Sequence, residues 1–187
     1  MKLQTCLPVP SESTLHHDYD AVSLLGEGKV CCPMELNMMI ERANIEDAKE
    51  ILDLQKLAYQ SEAEIYNDYT IPPLTQTLEE MRNDFEKQVF LKASMDGRII
   101  GSVRALLKEG TCFIGRLIVH PDFQKRGIGT QLMHEIERYR GRICRFELFT
   151  GYKSERNIYL YQKLGYQVFK TETVTKDLQL LYMEKFA

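Results

Sequence analysis

A chain of 187 residues with 44% hydrophobic side chains is long enough for one domain with a substantial core. Its formal net charge of −3 argues against nucleic acid as the main partner, because phosphate binding favours a basic surface. No apolar run is long enough to span a bilayer as a helix, so no membrane partner is expected. The opening MKLQTCLPVP has no uninterrupted apolar stretch of the kind a secretory signal needs. Five cysteines, an odd number with Cys31 and Cys32 adjacent, fit reduced thiols and a cytoplasmic protein. No Cys/His spacing matches a metal site, so no metal is expected.

In chain order, residues 1–34 hold three of the six prolines, a polar Ser/Thr/His stretch and no sustained periodicity. They are expected to form a leader, with Val22, Leu24 and Leu25 available to cover an edge or a partner, and Met34 is an alternative start. The domain is expected over 35–187. It opens on a strand near 36–43 and a helix from about Ile45 to Ser61, whose Ala48, Ile51, Leu52, Leu57 and Ala58 can face the core. A loop over 59–72 and a helix near 75–87 follow. Strands at 88–95, 98–107 and 111–119 form a meander, with Asp96-Gly97 a strong hairpin turn. A helix at 127–140 puts Leu132, Met133, Ile136 and Tyr139 on its apolar side. A strand at 143–149, a helix at 154–164 and strands at 166–173 and 177–186 complete the domain. Cys112 and Cys144 fall in predicted strands and read as buried small hydrophobes.

The most informative stretch is Arg116 to Met133 (RLIVHPDFQKRGIGTQLM). The aliphatic strand Leu117, Ile118, Val119 runs into His120-Pro121, where proline stops ladder pairing. Gln124, Lys125, Arg126, Gly127, Ile128, Gly129 and Thr130 then open a helix. A helix start carries unpaired N–H groups and partial positive charge, and glycines let a ligand approach that backbone. A P-loop would need Gly-Lys-Ser/Thr, yet Gly129 is followed by Thr130-Gln131. A dinucleotide fingerprint would need glycine at Leu132 and a tighter turn. The pattern left is Gln-x-x-Gly-x-Gly, at Gln124, Gly127 and Gly129.

A second ordered motif, Glu147 to Tyr166 (ELFTGYKSERNIYLYQKLGY), again runs strand, loop, helix and glycine. Ser154 reads as the N-cap and Gly165 as the C′ residue. Ser154, Asn157 and Tyr161 share one helix face, while Leu160 and Leu164 share an adjacent apolar stripe. With both motifs in this order the chain resembles the GNAT superfamily of acyl-CoA-dependent N-acetyltransferases. The resemblance implies an α/β (α+β) GNAT fold, a mixed central sheet of about six to seven strands flanked by about four helices.

It further implies acetyl-CoA as co-substrate. The pyrophosphate would lie on Gln124, Lys125, Arg126, Gly127, Ile128, Gly129 and Thr130, and pantetheine along Leu117, Ile118 and Val119. The signature Tyr-x-x-x-Gly-Phe/Tyr matches Tyr161, Gly165 and Tyr166, which makes Tyr161 the proton donor to the leaving thiolate. Many members have asparagine seven residues before that tyrosine; here the position is Ser154, with Asn157 one turn later, and both are candidate cofactor contacts. Some members carry a glutamate on the strand before the glycine loop, where this chain reads Cys112-Phe113-Ile114-Gly115. The general base then falls to Glu147, Glu62 or Glu64, and the oxyanion to the N–H of Val119.

Between residues 60 and 90 seven acids (Glu62, Glu64, Asp68, Glu79, Glu80, Asp84, Glu86) face two basic residues, Arg82 and Lys87. Tyr59, Tyr66 and Tyr69 are interleaved with the first three acids, which suits a cationic amine acceptor, either a small molecule or a peptide. A non-catalytic acyl-CoA sensor on the same fold is the alternative. An acetylating toxin acting on charged tRNA would need a basic face that this region does not offer. A homodimer is left open.

Overall fold

The computed structural model describes residues 38–138, 143–176 and 178–187. The expected leader 1–34, the start of the first expected strand at 36, and Tyr139 with the expected helix end at 140 lie outside the described residues. Seven strands form one sheet in the order β1-β2-β3-β4-β5-β7-β6. They are β1 (Met39–Arg42), β2 (Val89–Met95), β3 (Arg98–Lys108), β4 (Thr111–Val119), β5 (Arg145–Gly151), β6 (Gln167–Thr173) and β7 (Gln179–Phe186). The helices are α1 (Ala48–Ala58), α2 (Gln60–Tyr66), α3 (Pro72–Thr75), α4 (Leu78–Lys87), α5 (Ile128–Glu137) and α6 (Glu155–Lys163). The mixed sheet and its flanking helices are those of the expected GNAT fold. No described helix is long and apolar enough to cross a membrane.

Local chemistry accounts for the punctuation. Asp96 (φ 51°) and Gly97 (φ 75°) are both left-handed, the tight turn that matches strand twist, and they join β2 to β3 in register Met95↔Arg98. Glu109 and Gly110 repeat that geometry between β3 and β4. Asn44 caps a 3₁₀ turn at Ile45–Asp47 in a reciprocal capping box with Asp47, and Thr77 does the same for α4 with Glu80. Gly165 (φ 91°) ends α6, with Tyr166 N–H on the Tyr161 carbonyl and Gly165 N–H on that of Gln162, a Schellman closure.

Two apolar layers cover the sheet. On one face Ile128, Leu132, Met133 and Ile136 of α5 pack with Val103, Ile114, Phe146, Leu148, Tyr161 and Met183. Burying each such side chain contributes roughly 1.5–3 kcal/mol. On the other face Ile51, Leu52 and Leu54 of α1 pack with Met81, Phe90, Ile99 and Ile118. Leu160 and Leu164 are partly buried against the first layer, as their stripe predicts.

Several expectations need correction. The helix foreseen from Ile45 to Ser61 is divided: a 3₁₀ turn, then α1, then a break at Tyr59. The loop foreseen over 59–72 is instead half helix, as α2, because Gln60-Ser-Glu-Ala-Glu-Ile-Tyr66 has no breaker before Asn67, which takes the left-handed stop at φ 48°. Leu57 is 44% exposed, because within α1 it lies on the side opposite Ala48, away from the buried Ile51, Leu52 and Gln55. Cys112 is buried as expected, but Cys144 precedes β5 and is exposed.

One topological feature builds the site. Strands β4 and β5 are parallel and pair only over Thr111–Phe113 with Arg145–Glu147. Beyond that point β4 continues to Val119 and β5 to Gly151 without pairing to each other, so a gap opens in the middle of the sheet.

Candidate active site

The β4 side of the gap is shaped by a bulge. The β3–β4 register steps from Ser102↔Ile118 to Arg104↔Gly115, so Val103 faces two residues, Arg116 and Leu117. Arg116 takes φ 50°, a costly conformation for a side-chain-bearing residue. His120 N–H donates to the Ile100 carbonyl at 2.8 Å, which makes Gly101↔Val119 the non-bonded pair of the ladder. The N–H and carbonyl of Val119 therefore point away from β3, into the gap. Gln124 Nε2 donates to that carbonyl at 3.1 Å, while Gln124 Oε1 accepts from Arg156 at 2.9 Å.

The glycine loop closes the same end. Gly127 (φ 80°) is the N-cap residue of α5 and offers no side-chain cap, so the first N–H groups of the helix are left without intrahelical partners. A Cβ built on Gly127 would meet nothing within 4 Å, so open space lies in front of this backbone. A Cβ on Gly129 would lie 3.7 Å from Leu160 and 3.8 Å from both Leu117 and Val119. The glycine-loop helix α5 and α6 of the second motif, separated in sequence by β5, thus converge at Gly129. Lys125 is exposed, and Arg126 donates to the Asp122 carbonyl and lies over Phe123. Together with Arg156 they surround the helix start with cations. An anionic ligand fits this arrangement. Among the described residues no group of three or more His, Cys, Asp or Glu could hold a metal ion.

Helices α2 and α6 meet on the far side. Ser154 stands at the N-cap of α6 but makes no capping bond; its hydroxyl donates instead to Glu62 Oε2 at 2.6 Å. Asn157 Nδ2 donates to Glu62 Oε1 at 3.1 Å. Glu62 is thereby held on the helix face that also carries Tyr161. Tyr161 is 8% exposed, and its ring meets Tyr166 edge-on at 6.1 Å. Burial holds its phenol well above the ordinary tyrosine value, with Tyr59 and Glu62 adding to the effect. Tyr66, one turn beyond Glu62, accepts Lys153 N–H at 2.8 Å and abuts Gly151.

The remaining acids are dispersed. Glu64 is exposed, and Glu147 is ion-paired with Arg145, which also reaches Glu184 at 3.1 Å. Asp68 accepts from Thr70, Glu80 is spent in its capping box, and Asp84 binds Arg104 at 2.7 Å. The acidic segment is therefore not one continuous field. Sequence reasoning missed Arg116 and Arg156, and it set Tyr59 and Tyr66 beside an amine acceptor without their partners Arg116 and Lys153. The guanidinium of Arg116 lies 5.6 Å from the Tyr59 ring centre, and its Nε is buried without a hydrogen-bond partner. Only the positive φ and the register step mark Arg116, and neither is visible in a residue string.

Comparison with known proteins places this geometry. The family model described as "Acetyltransferase (GNAT) family" matches residues 48–166. A curated relative, "UPF0157 protein YqkA" of Bacillus subtilis (strain 168), is 31% identical over 134 residues, which is 72% of this chain and 38% of that protein. The chain thus spans well under half the length of that relative. A PaiA N-acetyltransferase from Thermoplasma acidophilum, solved in complex with coenzyme A, superposes with a TM-score of 0.67 at 19% identity, over 80% of this chain and 99% of that one. A GNAT-family acetyltransferase from Streptococcus pneumoniae gives 0.65 at 20% identity, over the same shares of each chain. The ribosomal-protein-S18-alanine N-acetyltransferase of Escherichia coli gives 0.64 at 14%, over 80% and 93%. At these identities the solved structures speak for the fold, and the family match over more than half of the chain assigns it: this protein belongs to the GNAT acetyltransferase family.

Proposed function

We propose that this protein is an N-acetyltransferase that moves an acetyl group from acetyl-CoA directly to a primary amine of a small molecule or peptide. The observation that carries the reading is the convergence at Gly129, where the glycine-loop helix, the end of β4 and α6 meet beside a gap in the sheet. When bound there, acetyl-CoA supplies the activated acyl group. The N–H groups opening α5, with Lys125, Arg126 and Arg156 around them, hold its pyrophosphate. Leu117, Ile118 and Val119 line the edge along which pantetheine lies, and Gln124 fixes the Val119 carbonyl while the N–H of Val119 stays free to steady an oxyanion.

Glu62 is assigned the proton-accepting role in preference to Glu64 and Glu147. Its two oxygens are oriented by Ser154 and Asn157, so those residues act on the carboxylate as well as lining the ligand's edge. Glu147 has its charge met by Arg145. An amine that is cationic in water must shed a proton before it attacks, and a fixed carboxylate accepts it directly or through water. Tyr161 keeps its proton throughout the neutral range and meets the leaving sulfur as hydrogen-bond and proton donor.

Thiol release from acetyl-CoA with a broad panel of amines tests the reading. Turnover with at least one amine is expected, and Tyr161→Phe should retain acetyl-CoA binding while losing about 10²-fold in kcat. Binding without turnover for every amine would overturn catalysis in favour of an acyl-CoA sensor.

A further inference from the structure

We infer that Arg116 anchors an anionic group, a carboxylate or a phosphate, carried by the same molecule whose amine is acetylated. The inference rests on the acetyl-transfer reading above and names the class of acceptor for that site.

The bulge exists at the residue that needs it. Cys112 and Ile114 face the α5 layer, and regular alternation would send residue 116 there too. The register step hands that face to Leu117 and Val119, and Arg116 is turned onto the α1–α2 side against Tyr59. A left-handed backbone at a non-glycine residue is retained where surrounding structure imposes it, and such positions gather at functional sites.

Among the described residues the charge placed there meets no acid. Arg104, the other guanidinium on this side, is paired with Asp84 at 2.7 Å. The two arginines are close enough that Arg116 adds to burial in holding Arg104 below its ordinary value. Asp84 is fully engaged, accepting also from Gln76 at 2.7 Å and Gln88 at 3.1 Å. Glu62 is turned to Ser154 and Asn157. Arg116 has no hydrogen bond or ion pair to any described residue, and its Nε is buried. A partly desolvated guanidinium without a partner is unfavourable, and its planar fork fits the paired oxygens of a carboxylate or phosphate.

Tyr59 joins this cation to the reacting groups. Arg116 lies over its ring, and Tyr59 is close enough to Tyr161 to act on that phenol together with Glu62. An acceptor can therefore present its amine to Glu62 and its anionic group to Arg116. This adds an anionic requirement to the cationic one that the acidic segment suggests.

The test uses the full chain and matched amines: amino acids against their carboxamides, and phosphoethanolamine against ethanolamine. The anionic member of one pair should show kcat/KM about tenfold or more above its neutral partner, and the favoured pair tells carboxylate from phosphate. Arg116→Gln should abolish that preference by raising KM for the anionic amine at least about tenfold, while KM for acetyl-CoA holds. Arg116→Lys, which keeps charge without the fork, should fall between and guards against a folding defect in the glutamine variant. Equal kinetics across every pair in the wild type, or a preference undiminished in Arg116→Gln, would overturn the anchor. If no amine is turned over, the acetyl-transfer reading fails by itself, and the anchor is still read by thermal shift with glycine and with inorganic phosphate. Stabilisation of the wild type but not of Arg116→Gln supports it, and no shift with either probe overturns it.

Discussion

Replacing Gly151 with alanine puts a methyl group where Tyr66 already stands. The new Cβ would lie 2.2 Å from Tyr66 Oη, 2.7 Å from Cζ and 3.0 Å from Cε2, so the ring must leave its place. The phenol cannot swing away freely, because it accepts Lys153 N–H at 2.8 Å and its ring lies 5.6 Å from the Lys153 ammonium. Losing that hydrogen bond costs about 1 kcal/mol, and overpacking adds about 1–3 kcal/mol. The sum, about 2–4 kcal/mol, corresponds to a Tm lower by about 4–16 °C in a domain of this size. Thermal and urea melts of Gly151→Ala, Tyr66→Ala and the double variant form a cycle, and clearing the ring should recover at least about 1 kcal/mol as coupling. Tyr66 lies one turn from Glu62 on α2, so the single variant should also lower kcat by loosening the carboxylate from Ser154 and Asn157. A Gly151→Ala protein that melts with the wild type, or a penalty that survives removal of the Tyr66 ring, would refute the docking of α2 on the end of β5.

Burial also separates two thiols. Cys112 is buried, and desolvation, with the Glu137 charge behind it, pushes its thiol up to about 11, whereas Cys144 is exposed. Iodoacetamide near pH 8 followed by peptide mass mapping should label Cys144 and spare Cys112 until the protein is unfolded; equal labelling in the native state would contradict the packing of β4. Tyr161 and Tyr166 are both held above the ordinary tyrosine value of 10.0, by burial first and for Tyr166 by Glu137 next. A raised folded value makes their contribution complete below the unfolded value and lost as pH climbs through and beyond it, so the urea midpoint should fall as pH rises above about 10. Tyr166→Phe, which also gives up the 2.8 Å bond to Glu137, should flatten that decline, and an unchanged slope would refute the assignment.

The parts legible in the sequence are those with local causes. Asp96-Gly97 dictates its own turn, Gly165 its own helix stop, and Leu132, Met133 and Ile136 their shared face, so the strands and both motif helices were foreseen to within a few residues. Boundaries failed where no single residue punctuates the chain: Tyr59 keeps helical angles (φ −83°, ψ −2°) while dividing α1 from α2. In the site, glycine spacing marks the loop and helical spacing unites Ser154, Asn157 and Tyr161. What those residues touch depends on contacts made from far along the chain. Ser154 looks like a cap by type and position, yet its hydroxyl is taken by Glu62 from 92 residues away. Arg116 is an ordinary strand residue until β3 and β4 slip register, an event decided by pairing and not by residue type.

Calorimetric titration of acetyl-CoA into the wild-type protein and Gly127→Val reads whether the start of α5 holds the cofactor. Gly127 holds φ 80° before open space at the uncapped start of α5, so a β-branched side chain there is strained and stands where a pyrophosphate would lie. Saturable one-site binding to the wild type is expected, with a loss of affinity of at least about 10-fold in a variant whose circular dichroism is unchanged. Equal affinity in both proteins, or no binding to the wild type, would contradict cofactor binding there.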